Sequence, residues 1–246
     1  PMGLSHFAET IFKRTYAFDD NETWEQCARR VSRFLARDAK QQEDFFKVIS
    51  QRKFIPGGRY LYSAGRELPQ LNNCFLFQAK DSREGWADIL NKHVLVLSTG
   101  GGAGTEYSQI RGKGQLIKRF GGVTSGPLSL MSMVNEVARH VMAGGKRRSA
   151  LWAGLSFWHD DIEAFIAAKN WPTEIKALKE KDFNFPAPLD MTNISVGLDD
   201  TFFKTVKKDK AVWDRYYRVC KAMCKTGEPG FSINLGDQAK NILRNP

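Results

Sequence analysis

The sequence predicts an α/β fold: a helical region over residues 1–54, then strands alternating with helices over residues 55–246. Three observations carry this. Up to Phe54 the apolar residues recur at helical spacing. Beyond it the pattern changes to short apolar runs set apart by glycine turns, with helical patterns between them. The length of 246 residues, 42% of them hydrophobic, is enough to bury a sizeable core.

In chain order, Asp20-Asn21-Glu22-Thr23 offers an N-cap ahead of Trp24, and Val31, Phe34 and Leu35 mark the helix that follows. Phe45, Phe46, Val48 and Ile49 mark the next. Strands are predicted at 74–78, 93–97, 151–157, 191–198 and 230–233, and helices at 86–91, 127–143, 160–169 and 201–225. The strand runs are mainly apolar, as in a largely buried parallel sheet or barrel. Residues 170–188, where Pro172, Pro186 and Pro188 bracket a Lys/Glu-rich stretch, read as the least ordered part and a surface excursion.

Composition excludes several classes. No run approaches the roughly 18 apolar residues of a membrane span, and residues 1–14 lack a signal-peptide core, so the expected location is the cytoplasm, with no membrane partner. Four cysteines (Cys27, Cys74, Cys220, Cys224) are too few and too irregular for a secreted disulfide framework. Cys220 and Cys224 sit four apart on one predicted helix without the further ligands a zinc site needs, and His6, His93, His140 and His159 are scattered. The net charge of +10 favours polyanionic partners, either nucleic acid or small phosphates. Part of that charge, from Lys204 to Arg218, reads as a solvated helix face.

Three segments could carry chemistry. Ser98-Thr99-Gly100-Gly101-Gly102-Ala103-Gly104 could present backbone N–H groups to a phosphate or ribose, or be a plain turn. It misses the dinucleotide fingerprint, because Thr105 stands where the final glycine belongs, and no P-loop exists elsewhere. Gly144-Gly145-Lys146-Arg147-Arg148-Ser149 reads either as a mobile loop that closes on a nucleotide or as a helix stop followed by surface cations. Cys74 opens a run expected to be buried, where a thiol is core filler or reagent.

Taken in order, Leu71-Asn72-Asn73-Cys74-Phe75, Gly100 to Gly104, Phe120-Gly121-Gly122, Lys146-Arg147-Arg148-Ser149-Ala150 and Asn245-Pro246 resemble the large catalytic subunit of ribonucleotide reductase, most closely its adenosylcobalamin-dependent class II. Ile55-Pro56-Gly57-Gly58-Arg59, Ser125-Gly126-Pro127, Thr192-Asn193-Ile194-Ser195-Val196 and Gly227-Glu228-Pro229-Gly230 extend the match. The resemblance implies that residues 55–246 form the first half of a ten-stranded α/β barrel, ending inside its finger loop. It also implies removal of a ribonucleotide's 2′-hydroxyl by thiyl-radical chemistry, with a cysteine pair supplying two electrons. Cys74 then corresponds to one member of that pair, and Asn245 to the finger-loop residue that contacts the ribose. Gly57, Gly58, Arg59, Asn73, Gly101 and Gly102 fall where the substrate is held. Asp81, Ser82, Arg111 and Arg119 correspond to the site of a deoxynucleoside triphosphate effector, and Lys146, Arg147 and Arg148 to the loop that reports its identity.

The implied cofactor is adenosylcobalamin, most of whose site lies outside the chain, and the implied reductant is of thioredoxin type. The resemblance also implies a homodimer, because monomeric members of the family carry a long insertion where only the residues between Gly104 and Phe120 intervene here. The family's radical cysteine would follow Pro246, which reads as a split-gene product, an intein-flanking segment or a truncated chain that needs a C-terminal remainder for activity. Two other classes compete: a nucleic-acid-binding module and a structural or regulatory half. The first predicts cations interleaved with exposed aromatics on one face, whereas the cations here cluster at glycine loops. Direct nucleic-acid binding is therefore not expected.

Overall fold

The computed structural model describes residues 4–117, 121–141 and 150–236, so Arg119, Lys146, Arg147, Arg148 and Asn245 lie outside the described residues. Two compact units meet in sequence between Asn73 and Cys74.

The first unit is helical: α1 (His6–Thr15), α2 (Trp24–Leu35), α3 (Ala39–Ser50) and α4 (Gly58–Ser63). Thr23 starts α2 through a capping box, its hydroxyl accepting from the Gln26 N–H while the Gln26 side chain accepts from the Thr23 N–H. Phe12, Cys27, Ala28, Val31, Ile49, Leu61 and Ala64 form the core. Arg30 locks α2 to the chain on either side of it. Its Nε and Nη2 donate to the Glu22 carboxylate at 2.6 and 2.8 Å, and its Nη1 donates to the Ala64 carbonyl at 2.6 Å.

The second unit is a five-stranded parallel sheet in the order β1-β2-β3-β4-β5: β1 (Cys74–Gln78), β2 (Gly102–Glu106), β3 (Leu151–Ser156), β4 (Thr192–Asp199) and β5 (Gly230–Asn234). Between them run α5 (Arg83–Ser98), α6 (Pro127–His140), α7 (Ile162–Ala167), α8 (Thr173–Lys181), α9 (Asp200–Thr205) and α10 (Lys210–Thr226). Each strand lies next to its predecessor, so right-handed crossovers put all the connecting helices on one face. The core lies there, where Ala103, Leu151, Ala153, Leu155, Ile194, Val196 and Leu198 meet Ile89, Leu97, Leu130, Val134, Phe165 and Val219.

Several expectations need correction. The 93–97 run is the second half of α5, not a strand: Ile89, His93 and Leu97 recur every four residues along its buried stripe, while Leu95 is exposed. His93 is a core residue. Its Nδ1 lies 2.8 Å from the Ile89 carbonyl and its Nε2 3.3 Å from the Thr105 hydroxyl, and burial lowers its pKa despite the carbonyl contact. The missing strand is β2, formed by the glycine run itself. The 201–225 pattern is two helices, because Asp209 caps α10 by accepting from the Ala211 and Val212 N–H groups. Cys74 is exposed, not buried.

The 170–188 excursion also holds more structure than its composition predicts, since it contains α8 and leads into Asp190, whose side chain has 0% exposure. Burial opposes the Asp190 charge, but hydrogen bonds from Arg139, Lys179 and Asn135 outweigh it and hold the carboxyl below the usual range. Asn135 in turn accepts from the Met191 N–H and the Thr192 hydroxyl, both at 2.9 Å, which ties α6 to the head of β4.

Removing one partner of a buried ion cluster costs about 3–5 kcal/mol, and Asp190→Ala is expected to destabilise the fold by that order, read as a lowered urea midpoint. The depressed folded pKa means the stabilisation is present above the unfolded value of about 3.9 and is lost as pH falls through the folded one. Asp190→Asn should flatten that acid limb; an unchanged acid profile would remove the carboxylate from the account.

Candidate active-site face

The sheet face turned away from the helices has a different chemistry. Its positions follow from the register. Cys74 pairs with Gly102, Leu76 with Gly104 and then Trp152 and Asn193, and Glu106 with Gly154 and then Ser195 and Gly230. Ser156, Gly197 and Ser232 complete the next row. The face is made largely of glycines and small polar side chains. A sheet wall that faced packed helices would be aliphatic, as the opposite face is.

Cys74 is the first residue of β1 and exposed, and its cross-strand partner Gly102 has no side chain to crowd it. Gly101 is set by close packing: a Cβ there would lie 2.8 Å from Val96 Cγ1 and 3.2 Å from Phe75 Cε2. In the first unit, Gly57 caps the short helix α4, Gly58 packs against Tyr16, and Arg59 is buried. Asn73 is exposed.

Two of the effector-site candidates come together. Arg111 Nε donates to Asp81 Oδ2 at 2.6 Å, and its Nη1 to the Leu116 carbonyl at 3.0 Å. Ser82 has a structural role, its hydroxyl capping α5 by accepting from the Gly85 N–H at 2.9 Å. The loop behind Arg111 folds back on itself through an antiparallel bridge between Leu116 and Val123, and is pinned by the Lys113 N–H on Asp161 and the Gln115 amide on Asp160.

Sequence reasoning missed Glu106, Trp152 and Ser195 as members of this face. Burial raises the Glu106 pKa, only partly offset by hydrogen bonds from the Ser108 hydroxyl and N–H. The Trp152 indole N–H donates to Ser195 Oγ at 2.9 Å. The signal was present: two-residue alternation through Gly102, Gly104 and Glu106 puts the carboxylate on the Cys74 side once the glycine run is read as a strand. Among the described residues, no group of three or more His, Cys, Asp or Glu could hold a metal ion, and no helix is long and apolar enough to cross a membrane.

Comparison with known proteins gives this arrangement its family. Residues 72–217 match the family described as "Ribonucleotide reductase, barrel domain", and residues 2–69 match "Ribonucleotide reductase, all-alpha domain". A vitamin B12-dependent ribonucleoside-diphosphate reductase of Thermoplasma acidophilum is 33% identical over 221 residues, which cover 80% of this chain and 27% of the relative. A Mycobacterium tuberculosis protein of the same name is 26% identical over 93% of this chain and 36% of its own length. The ribonucleoside-diphosphate reductase large subunit of Plasmodium falciparum is 29% identical over 83% of this chain and 23% of its own length. The chain thus spans about a quarter to a third of these relatives. In structure, the class Id ribonucleotide reductase alpha subunit of Actinobacillus ureae superposes with a TM-score of 0.79 at 14% identity, over 94% of this chain and 40% of that one, a likeness of fold. With its barrel-domain match covering more than half of its length, the chain belongs to the ribonucleotide reductase large-subunit family.

Proposed function

We propose that this chain supplies the substrate-facing wall and one reducing thiol of a reductase that converts ribonucleoside di- or triphosphates to deoxyribonucleotides. The observation that carries the reading is the position of Cys74: an exposed thiol at the head of β1, opposite a glycine, on the helix-free polar face. In the proposed reaction the ribose 2′-hydroxyl leaves as water. Two thiols, Cys74 and one supplied by a C-terminal remainder, provide two electrons and two protons and become a disulfide, which a thioredoxin-type dithiol then reduces. Asn73, Gly101 and Gly102 border the thiol in sequence or register and are assigned to substrate contact, as are Gly57, Gly58 and Arg59 to its phosphates and Asn245 to its ribose.

Adenosylcobalamin is proposed as the radical source on the names of two relatives. When bound it supplies an organic radical. The described face offers no residue set dedicated to it, and none of its residues is assigned to hold it. Asp81, Ser82, Arg111 and Arg119, with Lys146, Arg147 and Arg148, are assigned to a deoxynucleoside triphosphate that acts across a homodimer. Support for the nearest of these is the Asp81–Arg111 pair, which fixes a guanidinium at a turn between β1 and α5.

One observation bears on the nucleic-acid alternative. On α10, Trp213 and Tyr217 are 49% and 53% exposed amid cations, the interleaving that such a module needs. Those cations are largely engaged internally: Arg215 and Arg218 with Glu163, Lys210 with Asp214, and Lys221 over the Tyr217 ring. A solvated helix face is the better account.

In the enzyme assembled with its remainder, Cys74→Ser should abolish multiple-turnover deoxynucleotide formation and leave substrate affinity within about threefold. Sustained turnover with a dithiol reductant would remove Cys74 from the chemistry. A charge-assisted hydrogen bond is worth about 1.5–3 kcal/mol, so Arg111→Ala should weaken deoxynucleoside triphosphate binding roughly tenfold to hundredfold in equilibrium dialysis. Unchanged effector affinity would separate Arg111 from that site.

A further inference from the structure

The Trp152 indole lies in an unusual seat. Its Cε3 edge borders Gly104 on β2, where a Cβ would come within 3.1 Å of it. Its far ring edge lies over Gly154, where a Cβ would sit 2.4 Å from Cη2 and 3.0 Å from Cζ2. Its Nε1 reaches the other way, donating to Ser195 on β4 at 2.9 Å. Contacts on three strands hold the ring across Gly104 and Gly154 on the sheet face turned away from the helices. The residue is partly exposed. A tryptophan that fills a core is wedged among aliphatic side chains, whereas this one lies across two glycines, with the Glu106 carboxylate beside it at Gly154 and Leu76 beside it at Gly104, and is tethered by its polar edge.

Resting on the reading that a ribonucleotide is held on this face, we propose that Trp152 is the platform on which the nucleobase stacks. The register gives the reach. Trp152 stands two strands across and two residues along from Cys74, which at ~4.8 Å per strand and ~3.3 Å per residue separates their Cα atoms by about 12 Å. A nucleoside bridges that gap with its ribose over the thiol and its base over the indole. The platform offers a π-face and no base-specific hydrogen bond of its own, because the indole N–H is already committed to Ser195. It therefore anchors all four bases alike. Selectivity among them belongs to other groups.

The test is made in the complete reductase with the four ribonucleotides as probes. Stacking on an aromatic ring is worth enough to weaken binding by about tenfold when lost, and Trp152→Leu should raise the Kd of all four by that factor while kcat stays within about threefold. Ribonucleotide addition should quench tryptophan emission in the parent, and that component should vanish in Trp152→Phe, which keeps a stacking ring and most of the affinity. Should Trp152→Leu fail to fold, Ser195→Ala releases the ring edge and should raise Kd several-fold. Unchanged affinity in folded Trp152→Leu, or an undiminished quench in Trp152→Phe, overturns the platform. Loss of turnover in Cys74→Ser alongside either result rejects the platform alone, and intact turnover in Cys74→Ser rejects the reading on which it rests.

Discussion

The constraint on which this structure depends is the sequential order of its parallel strands. A sheet that adds each strand beside the last, always in the same direction, has its connecting helices on one side only. The two faces then come under opposite demands. One must be largely apolar to bury α5, α6, α7 and α10, and its alternate strand residues are mostly Ala, Leu, Ile, Val and Phe, with Thr105 and Thr192 among them. The other is free of that demand and carries mainly Cys, Gly, Ser, Asn, Trp and Glu, with Leu76 the aliphatic exception in β1. Period-two alternation in β2 and β4 expresses this division directly, with buried residues alternating with partly exposed ones.

Flat attachment of helices to one side leaves the strand heads and crossovers to be held by other means, and the polar groups do it. Asp190 gathers Arg139, Lys179 and Asn135 where the excursion returns to β4. Glu228 accepts from the Ile194 N–H at 3.1 Å and pairs with Lys169 at 2.6 Å, fastening the turn before β5 to both β4 and the end of α7. Gly227, at φ +82°, closes α10 in the left-handed conformation that lets this turn form. The Gly227-Glu228-Pro229-Gly230 island and Asn135 thus have structural roles that need no ligand. Buried ion clusters of this kind specify one arrangement more than they add net stability, because much of the Coulomb gain offsets desolvation.

The fold class was legible because the aliphatic face leaves a strong imprint on sequence: four of the five strands follow from their apolar runs. The errors share one cause. Where tertiary packing, not side-chain preference, decides the element, local pattern misleads. Gly102-Ala103-Gly104-Thr105-Glu106 has poor strand propensity, yet it is a strand because Gly104 gives room to Leu76 and Trp152 on either side. Residues 93–97 look like a strand only if the four-residue recurrence beginning at Gly85 is cut off at its start. Among the candidate residues, Cys74, Asp81 and Arg111 could be named from motif order, whereas Glu106, Trp152 and Ser195 could not, since their shared face exists only once β2, β3 and β4 are in register.

Two thiols in this chain show how position, not residue type, decides access. Cys27 lies wholly inside the helical core, where burial pushes its pKa up to about 12, with the Arg30 charge easing and the Glu22 charge reinforcing the effect. At that value almost none of it is thiolate near neutral pH, and it serves as a small hydrophobe. Cys74 has no such burial, being exposed at the open end of a strand beside a glycine. In the proposed reaction Cys74 would meet a substrate, then a second sulfur, then an external reductant, and that sequence needs access at every stage. Strand interiors close off one face of each residue to neighbours above and below; a strand head does not. The glycines that follow in β2 extend that open ground across the sheet, so the feature that hid this strand from the sequence pattern is also what leaves room there for the proposed substrate.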